Sequence, residues 1–129
     1  MRYIAMFALL VWFSLSLMAE ESNVDSLRKA YDGTTDLEKK ITLALTLGDY
    51  YFYTKQDSAE YFYSAGRHSL PITGYDSLYI KVYERSSSLL EIQGENQKAL
   101  VLVHMAYLRV KQTGRQNELD QMYILLGRY

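Results

Sequence analysis

The stretch LTLGDYYFYTKQDSAEYFYSAGRHSLP (residues 45–71) has the same internal pattern as a later stretch, ERSSSLLEIQGENQKALVLVHMAYLRV (residues 84–110). Ala59 and Ala99, 40 residues apart, anchor the two blocks. Small residues fall at the anchor and seven positions on, at Gly66 and Ala106. Large apolar residues fall three and four positions on, as Phe62 and Tyr63 in the first block and Leu102 and Val103 in the second. A third copy begins near the end of the chain, with Gly127 lying 40 residues after Ser87 and Ser87 lying 39 after Gly48. Spacings of three, four and seven are helical. One helical hairpin repeated at this period predicts an all-α chain, an α-solenoid of about two and a half repeats after a short N-terminal helix.

Working outward, residues 22–31 (SNVDSLRKAY) read as that short helix, capped by Ser22 or Asn23 and stopped by Gly33. Thr35 opens the next helix, with Glu38 three residues on as a capping box. Its apolar face is Ile41, Ala44, Leu45, Gly48, Tyr51 and Phe52. Asp57 caps the third helix and Pro71 closes the repeat, because proline has no N–H to continue a helix. Asp76 caps the fourth helix, whose face is Tyr79, Val82, Tyr83, Ser86, Ser87 and Leu90. Gly94 turns the chain, Asn96 caps a fifth helix over residues 97–112, Gly114 stops it, and Asn117 opens a sixth with Leu119, Tyr123, Leu126 and Gly127 on one face. Of the 13 tyrosines, Tyr51, Tyr63, Tyr83 and Tyr123 take core positions, whereas Tyr50, Tyr53 and Tyr61 fall off the main stripe. These last three serve equally well as a recognition surface or as packing on the first helix.

The chain opens on Arg2, then an uncharged apolar run, residues 4–19, then Glu20-Glu21. One basic residue, a short apolar run and a polar boundary describe a secretory signal peptide. Residues 1–19 are expected to be that segment, cleaved after Ala19, or after Ser16, because Leu17 is large for its place in the first site. An uncleaved anchor is the alternative, although the run is shorter than the roughly 20 residues that span a bilayer. The chain is then exported to the periplasm or cell envelope, or held at the inner membrane. Residues 20–34 form the N-terminal helix and turn, and residues 35–129 the repeat domain.

Cysteine is absent, which excludes disulfides, thiolate ligands and a lipid-bearing cysteine. The charges number 14 basic and 15 acidic, with no basic block, so nucleic acid is not the expected partner. His68 and His104 are the only histidines and lack metal-ligand spacing, so no metal or cofactor is expected. Ser86-Ser87-Ser88 lacks the frame and partners of a nucleophile and reads as small residues at a helix crossing. Glu84 and Glu91, seven residues apart, share a helical face without any second catalytic element. No catalytic residue is expected, and an enzyme reading has no motif behind it.

The arrangement resembles tetratricopeptide repeats. Leu47-Gly48 and Tyr51 match that family's first helix, Ala59, Tyr63 and Gly66 its second, and Pro71 its terminal proline. In the second copy Tyr83, Ser87, Leu90, Gly94, Ala99, Val103 and Ala106 match in type, with Ser86 replacing a leucine. In the third, Tyr123, Leu126 and Gly127 match. The period of 39 to 40 exceeds the family's usual 34. The family register places a partner-binding groove on the first helices, at Thr42, Asp49, Phe52, Tyr53, Lys81, Glu84, Ser88, Glu91 and Ile92, with Arg128 near the end. The resemblance thus implies a non-catalytic module that binds a protein or peptide. Leu45 and Asp49 stand where family members that grip a terminal carboxylate carry a basic residue and an asparagine. The whole arrangement, with Asp25 to Leu27, Gly33 to Thr35 and Asp57 to Ala59, also resembles exported repeat regions at the front of bacterial membrane signalling proteins. The alternative function is therefore the sensory N-terminal part of a sensor kinase or membrane-bound regulator. On either reading the last helix lacks its hairpin partner, so self-association through it, or burial against another molecule, is expected.

Overall fold

The computed structural model describes residues 2–71, 74–113 and 116–127. Among them it is all-helical, with six helices and no strand: α1 (Arg2–Gly33), α2 (Leu37–Tyr51), α3 (Gln56–Ser69), α4 (Asp76–Ile92), α5 (Asn96–Thr113) and α6 (Gln116–Leu126). The chain divides into two units, residues 1–33 and 34–129.

The first unit is α1. The expected separate helix at residues 22–31 is instead the end of one continuous 32-residue helix. The physical reason is composition: nothing between Ala19 and Ser22 breaks a helix, and two glutamates there propagate it well. Ser22 and Asn23 therefore cap nothing. Ser14 and Ser16 donate back to the carbonyls of Val11 and Trp12, at 2.9 and 3.0 Å, so their hydroxyls are satisfied within the helix. By length and composition α1 can cross a membrane, a property it shares with signal sequences.

In the second unit α2 packs on α3, α4 on α5, α3 on α4 and α5 on α6, while α2 also meets α4 and α4 meets α6. Gly48 faces Tyr63, Tyr51 stacks on Phe62, and Ala44 lies near Gly66. Residues advancing along α2 thus meet residues receding along α3, so the two helices are antiparallel. The second hairpin closes at a C-terminal motif on Gly94, whose φ is 79°. Glu95 N–H donates to Leu90 O at 2.8 Å and Gly94 N–H to Glu91 O at 2.9 Å, the paired bonds of a Schellman ending.

Helix starts keep the period of the sequence. Helix α4 begins 39 residues after α2, α6 begins 40 after α4, and α5 begins 40 after α3. Matched positions are also matched in burial: Ala59 and Ala99, Tyr63 and Val103, Gly66 and Ala106, Gly48 and Ser87 are all buried. The second hairpin's core joins Ile80 and Tyr83 of α4 to Val103, Ala106 and Val110 of α5 and Met122 of α6.

Three expected caps are displaced. Asp36, not Thr35, caps α2, its Oδ1 accepting from Lys39 N–H at 3.0 Å, which puts Glu38 out of register for a capping box. Lys55 precedes α3, and Asp57 lies in its first turn, where its charge still suits the positive end of the helix. Tyr75, in the left-handed region at φ 55°, precedes α4, and Asp76 is buried in an ion pair instead of capping. Helix α5 includes Asn96, and α6 opens at Gln116 rather than Asn117. Gly114 and Arg128, and the side chains of Leu119 and Leu126, lie outside the described residues.

Candidate functional site

The candidate groove is the exposed side of α2 and α4. Asp49 is its best-connected member. Its Oδ1 accepts the Tyr63 hydroxyl at 2.6 Å and lies 3.4 Å from Nε of Arg85. One carboxylate therefore ties α2 both to its hairpin partner and to the next hairpin. Arg85 belongs to the groove and was not among the expected residues; its signal was an opposite charge 36 residues on, next to Glu84.

The other expected residues are placed as follows. Thr42 is exposed, but its hydroxyl is turned back to Glu38 O at 2.9 Å. Phe52, half-buried at the end of α2, meets the rings of Tyr53 and Tyr63 edge-on. Tyr53 is 85% exposed. Lys81 and Ile92 are exposed, and Glu84, Ser88 and Glu91 half-buried. The groove is thus mixed in charge, with an exposed aromatic at the turn end of α2 and an exposed aliphatic at the turn end of α4. Tyr50 and Tyr61, like Tyr53, are exposed.

Behind it, Arg67 of α3 joins the hairpins. It donates to Glu60 Oε1 at 2.7 Å and to Ser86 Oγ at 2.6 Å. Ser86 and Ser87 are buried, so the serine run serves helix packing and this hydrogen bond. The two histidines are exposed; His68 Nδ1 lies 2.7 Å from Ser64 O. Of the four tyrosines assigned to the core, Tyr51, Tyr63 and Tyr83 are buried, but Tyr123 is exposed, its ring meeting Tyr107 of α5 at 5.9 Å between centroids without being covered.

Burial raises the Tyr63 hydroxyl well above the ordinary tyrosine range, with its bond to Asp49 adding to the shift. Burial and a bond to Tyr83 do the same for Tyr79. Both groups hold their protons in the folded chain at a pH where the unfolded chain has lost them. The unfolded state then binds fewer protons, so stability falls as pH rises beyond the unfolded tyrosine pKa of about 10. Urea unfolding from neutral pH upward should show a level stability that drops past that point. Tyr63→Phe should flatten the drop, and an equal slope in that variant would contradict the assignment.

No family model matches the chain, and no curated protein or solved structure is detectably similar to it.

Proposed function

We propose that this chain is a non-catalytic helical-repeat module of tetratricopeptide type, exported to the cell envelope, which binds a protein or peptide along the groove of α2 and α4. The observation behind this reading is the shared period. Helix starts, buried small residues and buried large residues all recur at 39 to 40 positions. A chain built of one stacked unit presents an extended surface and is suited to holding an elongated partner. The groove chemistry supports a peptide ligand: an exposed ring at Tyr53, a cation at Lys81, and the Asp49–Arg85 pair on which backbone amides and carbonyls can find partners. Rigid aromatics lose little entropy on binding. Helix α1 supports export, since its apolar run follows one basic residue and precedes two acidic ones.

Photo-crosslinking residues installed at Tyr53 and Lys81, in cells, test this. A discrete protein adduct should form at these positions and be absent when the probe sits at Lys98 on α5. Adducts of equal yield at all three positions, or none at the first two, would sink the reading. The adduct should be recovered from the envelope fraction; a cytoplasmic product with residues 1–19 intact would refute export.

A further inference from the structure

Helix α5 is apolar on two opposite faces. Ala99, Val103, Ala106 and Val110, at spacings of four, three and four, are buried in the second hairpin. Val101, Met105 and Leu108, at spacings of four and three, lie on the other side and are 58%, 45% and 48% exposed. Leu100 beside them is exposed too. Hairpin packing does not demand apolar residues there. Helix α3 packs through the matching buried residues Ala59, Tyr63 and Gly66, and at the matching outer positions it carries Tyr61, Ala65 and His68. The outer stripe is a surface feature of α5 in its own right, and a contiguous exposed apolar stripe marks a place where something docks.

We propose that this outer face of α5 is a docking surface for an anionic lipid bilayer. Val101, Met105 and Leu108 enter the headgroup layer toward the acyl chains, and Lys98 and Lys111 reach the lipid phosphates. Charge selects this occupant. Helix α5 holds no aspartate or glutamate, whereas every other helix holds at least two. Of its three cations, Arg109 is turned to the connector, toward Asp76 and the carbonyls of Pro71 and Gly74. Lys98 and Lys111 are exposed, one at each end of the stripe. Lys98 lies 3.2 Å from Glu95, just before the helix, in an exposed pair of the weak kind. Lys111 lies 5.9 Å from the centre of the Tyr107 ring, and on α6 Asp120 accepts from Gln116 at 2.9 Å. An apolar stripe ended by lysines and free of acids is the pattern of a helix that lies in a membrane interface, where the long lysine stems carry the charge out to the headgroups. The stripe also lacks tryptophan, tyrosine and arginine, the residues on which protein interfaces concentrate their binding energy. A bilayer is within the chain's reach, because the apolar run of α1 is exposed and can cross one by length and composition. The inference stands apart from the peptide groove, which belongs to α2 and α4.

Because the chain has no cysteine, Val101→Cys takes an environment-sensitive fluorophore at a single site. The labelled full chain is reconstituted from detergent into vesicles of phosphatidylcholine, with or without phosphatidylglycerol. In the anionic vesicles the emission should brighten and move to the blue. Added salt should reverse the change, since it screens the attraction between the lysines and the lipid charge. The same label on Tyr61→Cys, the matching position of α3, should keep a solvent-like spectrum in both kinds of vesicle. Lys98→Glu combined with Lys111→Glu, both at exposed positions, should abolish the response at Val101. A solvent-like spectrum at Val101 in anionic vesicles, or an equal change at Tyr61, overturns the proposal. So does a blue shift that ignores phosphatidylglycerol, salt and charge reversal alike. A shift that fades as the chain is diluted in lipid also overturns it, and would make a second copy the occupant.

Discussion

Arg109→Ala is expected to cost about 3–5 kcal/mol, enough to unfold much of a domain whose whole stability is about 5–15 kcal/mol. Arg109 holds the connector between the hairpins. Its Nη1 donates to Pro71 O at 2.8 Å and its Nη2 to Gly74 O at 2.6 Å. Its Nε lies 3.5 Å from Asp76 Oδ1, and the guanidinium sits over the Tyr79 ring at 4.0 Å. Asp76 is the critical member. It is buried, and its Oδ1 accepts no hydrogen bond, since 3.5 Å gives charge neutralisation without a bond. Removing the arginine leaves that carboxylate in low dielectric with no opposite charge, which is the costly way to break a buried pair. Arg109→Lys should lose less, because the charge stays, but it cannot span both carbonyls and stack on the ring. Arg109→Met with Asp76→Leu should recover most of the loss, because no orphaned charge remains. Urea unfolding of the three variants decides this, and an Arg109→Ala midpoint equal to that of the parent would contradict it.

The same pair explains where the sequence was legible and where it was not. Spacing located the starts of α2 to α6 within a residue or two, because small and large residues repeat at helical intervals and those intervals depend only on the chain, whereas α2 ends at Tyr51, short of the Thr54-Lys55 end that its pattern suggests. Caps were less legible, because they depend on what else competes for the side chain. Asp76 has the composition of a cap, yet an arginine 33 positions later draws it inward, and the helix opens on it. Asp49 was visible as a groove residue, but Arg85 and the Tyr63 hydroxyl were not, since both reach it from other helices. Tyr123 read as core because its repeat position is core in α4. Position in a repeat fixes the direction a residue faces and leaves open what lies there. In α1 the reverse holds: the uninterrupted helical composition on both sides overrides the local cap signals at Ser22 and Asn23.

Gly48→Ala tests the tightest crossing in the molecule. Alanine is the better helix former by about 1 kcal/mol, so an exposed glycine in mid-helix would be improved by the change. Here the added Cβ would land on Cε1 and Cδ1 of Tyr63 and within 2.9 Å of its Cζ. That ring cannot swing aside. It is buried, its hydroxyl is held by Asp49 at 2.6 Å, and Phe52 lies 6.5 Å away between centroids. The collision falls on the body of a fixed ring rather than on the end of a flexible chain, so the overpacking cost sits at the upper end of the usual range, about 3 kcal/mol. The net expectation is a loss of about 2 kcal/mol after the gain in helix propensity. The second hairpin supplies the remedy, because at the same two repeat positions it carries Ser87 and Val103: a larger residue on the first helix faces a smaller one on the second. Gly48→Ser should therefore be destabilising alone and better tolerated with Tyr63→Val. The double variant should exceed the sum of the single changes by about 0.5–3 kcal/mol, the range seen for residues in contact. Additive effects in that cycle would mean that Gly48 and Tyr63 do not meet, and the antiparallel register of α2 and α3 would fall with them.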